Sequence, residues 1–148
     1  MSYKKILVAY DHSEPSKRAL QNAIELKDAG MTEEILVVSV IDPKGDDDPA
    51  LEIAARMSGV LTQDELPPEE HPVERVRTEI AEMVGDRTGI SVFAVRGKAA
   101  HAIVTAATDN ECDLIMMGRR GMGAISSMLG GVSTAVLRES SLPVFVTR

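Results

Sequence analysis

Short apolar runs recur along this chain without polar alternation: KILVAY (Lys5–Tyr10), ILVVSVI (Ile35–Ile41), ISVFAV (Ile90–Val95), DLIMM (Asp113–Met117) and LPVFVT (Leu142–Thr147). A strand with one wet face alternates apolar and polar residues, whereas a continuous β-branched and apolar run expects cover on both faces. Between the runs the apolar residues recur at helical spacing. Ala19, Leu20, Ala23 and Ile24 share one face, with Ser13 as the N-cap, Glu14 and Pro15 in the first turn and Gly30 at the end. Val76, Ile80, Met83 and Val84 form a second stripe that Gly89 closes, and Ile103 and Val104 point inward from a helix over Ala99–Ala107. A last helix runs from about Val132 to Glu139. Strands alternating with helices predict an α/β domain: a doubly wound, five-stranded parallel sheet with helices on both faces.

In such sheets ligands bind beyond the carboxyl ends of the strands, where the strand order reverses. Two polar features fall on those ends. Asp11 follows the first run, and Gly118, Gly121, Gly123, Gly130 and Gly131 crowd the segment after the fourth, just before a helix start at Val132. Glycines admit positive φ and close approach, and a helix N-terminus presents N–H groups and a favourable dipole to an anion. The segment therefore reads as a phosphate cradle, with a plain strand-to-helix surface loop as the competing reading. Winding outward from the first strand in both directions makes the Asp11 end and the glycine-rich end neighbours, and that convergence favours the cradle.

The remaining composition narrows the classes. With 148 residues, 44% hydrophobic and 26% charged, the chain suits one folded domain over residues 1–148. A net charge of -7, with no basic tract beyond Arg119-Arg120, argues against non-specific binding to nucleic acid or to an anionic membrane. The lone Cys112 excludes an internal disulfide and reads as a small buried side chain. The amino-terminal apolar run is too short for a secretory leader, so a cytoplasmic location is expected. His12, His71 and His101 are far apart and show no metal-ligand spacing. A Walker A ending is absent, and the turn after the first strand, DHSEP, has no glycine for a dinucleotide fingerprint. Residues 42–72 form a variable segment with Pro43, Pro49, Pro67, Pro68 and Pro72 and the acidic Asp46-Asp47-Asp48, read as an insertion or partner surface with one short helix over Ala50–Ser58.

KILVAYDHSEPSKRAL at the start, VVSVID, DLIMMGRRGMG and GGVSTAVLRESSLPVFVTR at the end together resemble the universal stress protein family over nearly the whole chain. The resemblance implies strand order 3-2-1-4-5, a homodimer paired through the last strand (Pro143–Thr147), and in some members an ATP or ADP site. The nucleotide-binding members carry G-x2-G-x9-G-S/T. Gly118 and Gly121 match its first two positions. The third falls on Gly130 or on Gly131, which leaves Gly131 or Val132 at the hydroxyl position; Ser133 and Thr134, at the helix start, are partial substitutes. By the same resemblance Asp11 contacts ribose or a phosphate-bound Mg²⁺, against its reading as a helix-capping aspartate. Ala9 and Tyr10 flank the base, Val40 lines the adenine pocket through its backbone, and Met117 and Gly118 close the fourth strand beside the phosphates. Arg119 and Arg120 read equally as phosphate partners or as solvated loop charges. His12 stands where the family often has glycine and is read as a surface side chain. No general base stands beside a nucleophile, so slow ATP hydrolysis is the most that would be expected. The implied function is a dimeric nucleotide-binding sensor; the alternative is a protein that keeps the fold without nucleotide and acts by association.

Overall fold

Pairing begins at the centre of the sheet. The computed structural model describes residues 3–41, 72–119 and 131–148. Strand β1 (Lys5–Ala9) is flanked on one side by β2 (Glu34–Ile41) and on the other by β4 (Leu114–Gly118), both parallel to it. Strand β3 (Ile90–Arg96) pairs with β2, and β5 (Val144–Thr147) pairs with β4. The order is therefore β3-β2-β1-β4-β5, as the resemblance implied.

The unbroken apolar runs are explained by cover on both faces. From β1, Ile6 and Val8 enter one core with Ala19, Leu20, Ala23 and Ile24 of α1 (Glu14–Asp28) and Ile80 and Val84 of α2 (Pro72–Val84). Leu7 and Ala9 enter the opposite core with Ile103 and Ala107 of α3 (Ala99–Asp109) and Val136 of α4 (Gly131–Glu139). Successive strand residues point to opposite faces, so a strand between two helical layers must be apolar at every position. Cys112 lies in the second core, and burial pushes its thiol up, as fits a packing residue.

Several boundaries differ from those expected, each for a local reason. Asp113 stands before β4, because its carboxylate accepts the Lys5 N–H at 2.9 Å while its own N–H donates to the Lys5 carbonyl. Helix α2 ends at Val84: Gly85, at φ 63°, turns the chain, and Gly89 introduces β3. The last strand begins after Pro143, which has no N–H to give a ladder. Phe93 on β3 and Phe145 on β5 are half exposed because those strands are the sheet's edges. The expected helix over 50–58 lies outside the described residues, as do all of the variable segment up to residue 71 and Arg120, Gly121, Gly123 and Gly130.

Gly118 ends β4 as a buried strand residue. A Cβ there would lie 2.7 Å from the Pro15 Cβ and 2.8 Å from the Pro15 carbonyl carbon and the Ser16 nitrogen. Packing of the first turn of α1 on the end of β4 thus requires glycine whatever the site binds. Gly131, at the start of α4, has open space around its Cβ position. Gly118→Ala should lower unfolding stability by ~1–3 kcal/mol through overpacking against backbone, whereas Gly131→Ala should be neutral or stabilising by up to ~1 kcal/mol. Urea denaturation of both variants checks the contrast.

Candidate functional site

At the carboxyl ends of the adjacent strands β1, β2 and β4, those sequence-predicted residues that lie among the described residues have their side chains on two sides of the sheet. Ala9, Val40 and Met117 all pack into the α3–α4 core. Tyr10 turns the other way, into the α1–α2 core, where it is 2% exposed. Its ring therefore does not share a side with Ala9 and Val40, and only its backbone lies along that edge.

Asp11 is exposed just past β1, in the turn that enters α1. Its Oδ1 accepts from the Ser13 N–H at 3.0 Å and from the Ser13 hydroxyl, and the Asp11 N–H donates to Ser16 Oγ at 3.3 Å. Ser13 is the N-cap of α1, its Oγ accepting from the Ser16 N–H at 3.2 Å, as the sequence predicts. Asp11 thus braces the N-cap residue rather than capping the helix itself, and its carboxylate is exposed beside the helix start.

Across the β1–β4 pair, Gly118 and Arg119 approach the amino-terminal end of α4. The Arg119 N–H donates to the Thr147 carbonyl, extending the β4–β5 ladder by one bond. Ser133 is 1% exposed, and its hydroxyl reaches the Gly118 carbonyl at 3.0 Å and the Arg119 carbonyl at 2.8 Å. A hydroxyl has one proton to donate, and this one is directed at strand carbonyls. Ser133 therefore fastens α4 to the end of β4 and, so placed, has no proton for a phosphate, contrary to its reading as a substitute hydroxyl. Gly131, Val132 and Thr134 are exposed, which leaves the first turn of α4 open to solvent.

A family model described as the universal stress protein family matches residues 2–148. The chain belongs to the universal stress protein family. A universal stress protein of Thermus aquaticus, from the QAH/OAS sulfhydrylase 3' region, is 33% identical over 148 residues, 99% of each chain. The fold is shared with UspA from Lactobacillus plantarum, at TM-score 0.75 and 21% identity over 100% of this chain and 99% of that one. It is shared equally with a universal stress protein solved in complex with cAMP, at TM-score 0.70 and 23% identity over 100% of this chain and 99% of that one.

One residue of this universal stress protein's carboxyl edge was missed in the sequence. Glu79, on α2, places Oε2 2.8 Å from the Tyr10 hydroxyl and 2.8 Å from His12 Nδ1. His12 is thus tied across to α2 rather than being a free surface side chain. Its φ of 69° lies in the left-handed region, which a glycine would adopt without strain. Two signals pointed to such a partner: a tyrosine in a buried run needs an acceptor for its hydroxyl, and Glu79 sits directly before the inward Ile80. Burial would push the Glu79 carboxyl up, but the hydrogen bonds from Tyr10 and His12, the imidazole charge and Lys17 outweigh it and hold it below its ordinary value. Burial, the Glu79 bond and nearby carboxylates push the Tyr10 phenol up, so it remains a donor. Among the described residues no group of three or more His, Cys, Asp or Glu side chains could hold a metal ion, and no helix is long and apolar enough to cross a membrane.

A carboxyl held low in the folded state adds stability above its unfolded pKa, about 4.3 for glutamate, and that stability is lost as pH falls through the folded value. The urea midpoint of the wild type should fall between about pH 5 and pH 3, and Glu79→Gln should flatten part of that fall. An unchanged acid limb in the variant would show that Glu79 does not carry it.

Proposed function

We propose that this universal stress protein binds an adenine nucleotide, ATP or ADP with Mg²⁺, along the carboxyl edge of the sheet and acts as a homodimeric sensor. The observation that carries the reading is the convergence of an exposed carboxylate, Asp11, with the solvent-open first turn of α4 across the adjacent β1–β4 pair. The amino-terminal end of α4 at Gly131–Ser133, with its helix dipole, suits phosphate oxygens. Half-buried Val40, at the carboxyl end of β2, offers its backbone to a base at that edge. The fold neighbour in complex with cAMP supports an adenine nucleotide as the ligand class. Asp11, as one exposed carboxylate, suits a Mg²⁺ held mainly by phosphate oxygens and water rather than an all-protein cage. Arg120, Gly121 and Gly130 complete the reading on the sequence motif alone. With the Ser133 hydroxyl engaged, the phosphates are held chiefly by amide N–H groups and weakly by side chains.

Calorimetric titration with ATP and Mg²⁺ tests this reading. The wild type should bind in the micromolar range, and Asp11→Ala should weaken binding by about tenfold or more, each factor of ten being ~1.4 kcal/mol. Absence of both binding heat and thermal stabilisation at millimolar ATP would overturn it in favour of association without nucleotide, the reading that the engaged Ser133 hydroxyl favours.

The dimer is proposed through β5. That strand stands last in the sheet, and among the described residues no strand pairs with its outer edge. Phe145 is 47% exposed, with Leu137 44% and Val132 41% exposed on α4. An unpaired edge with apolar neighbours invites pairing with a second copy. Val146→Lys should shift sedimentation from dimer to monomer; an unchanged dimer would place the interface elsewhere.

A further inference from the structure

Glu79 lies 67 residues from His12 and 69 from Tyr10 in sequence, yet one of its oxygens meets both. Those two residues flank Asp11. The main chain here is held on three sides. The Tyr10 N–H donates to the Val38 carbonyl of β2 at 2.9 Å, the Asp11 N–H donates to Ser16 of α1, and both neighbouring side chains are drawn to α2. An ionised carboxylate can only accept, so Oε2 receives the Tyr10 O–H and a proton carried on His12 Nδ1. Hydrogen bonds to a charged acceptor are the stronger kind. A left-handed conformation is unfavourable for a residue with a Cβ and persists where surrounding contacts hold it. A glycine at this position would take the same φ without strain but would have no side chain to reach α2.

We infer that Glu79 is a positioning residue: by holding Tyr10 and His12 together it sets the direction in which Asp11 leaves β1, and, resting on the nucleotide reading above, the pose Asp11 presents to phosphate-bound Mg²⁺. Among the described residues, the hydrogen bonds of Asp11 run to Ser13 and Ser16, both at the start of α1. The bonds to Glu79 join that turn to a different helix. Tilting of α2 relative to the sheet would therefore move the Asp11 turn with it, and occupancy at Asp11 would in turn favour one placement of α2. Burial of Tyr10 makes this link stiff, since the phenol cannot swing to solvent to find another acceptor.

Two measurements test the assignment, one of them independent of nucleotide. In the ligand-free protein, imidazole ¹⁵N spectra should show His12 with its proton fixed on Nδ1, and this signature should vanish in Glu79→Ala and weaken in Glu79→Gln. A wild-type His12 with the tautomer ratio of a free imidazole would overturn the tether whatever the protein binds. With ATP and Mg²⁺, Glu79→Ala should weaken binding by about tenfold, as loss of a partner that orients a metal-contacting group does, and Glu79→Gln should recover part of the loss. The same substitution in an Asp11→Ala background should change affinity little, because its effect passes through Asp11. An equal loss in both backgrounds would assign Glu79 a general structural role and overturn the positioning. If the wild type binds no ATP while His12 shows the fixed proton, the nucleotide reading fails and the tether stands. In that case a shift of the Asp11 carboxyl ¹³C resonance in Glu79→Ala supports positioning of Asp11, and an unmoved resonance overturns it.

Discussion

The first turn of α1 lies so close to the last residue of β4 that a Cβ at Gly118 would sit 2.7–2.8 Å from Pro15 and Ser16. That approach brings the Asp11 turn, the end of β4 and the start of α4 into one region. Ser133 fastens the third of these elements by donating to the Gly118 and Arg119 carbonyls, and the Arg119 N–H fastens β4 to β5. The carboxyl edge is thus assembled by backbone contacts that tolerate little change in side-chain size. Apolar burial on both faces holds the strands, but it is this close contact that decides where their ends lie.

The architecture was legible because it follows from periodicity. Runs such as ILVVSVI leave no wet face, and Ala19, Leu20, Ala23 and Ile24 can only be one side of a helix. The boundaries were less so, since Gly85 and Gly89 carry the same local signal and only the chain's path shows that the first of them ends α2. The site was legible in its local parts: Asp11 after β1, Ser13 as a cap and the glycines after β4. What sequence reasoning could not supply was contact over long separations. Glu79 is one of many acidic residues on an amphipathic helix until Tyr10 and His12 are seen to converge on it. Likewise Ser133 reads as a donor for a ligand until its burial against the β4 carbonyls is known.

The motif glycines also divide by physical role. Gly118 is demanded by packing against α1, so its presence says little about phosphate. Gly131 has space around it and a solvent-open position at the start of α4, so packing gives no reason for it to lack a side chain. On the proposed nucleotide reading, a bare backbone there would let phosphate oxygens reach the N–H groups of the first turn. A motif match therefore bears on ligand binding mainly through the glycines that packing leaves unexplained.

His12 shows how a departure from a family pattern can alter linkage rather than abolish a site. Glycine at that position would relieve the left-handed φ and leave the turn tied only to its own strand and helix. Histidine accepts the strain and reaches Glu79, while Tyr10 reaches the same oxygen from the other side of Asp11. The Glu79 carboxyl is stabilised in its charged form by the two donors it holds, and each donor keeps the other's acceptor in place, so the three side chains reinforce one another. Because α2 follows the variable segment in the chain, the inferred role of Glu79 would carry a displacement of α2 to the turn that presents Asp11.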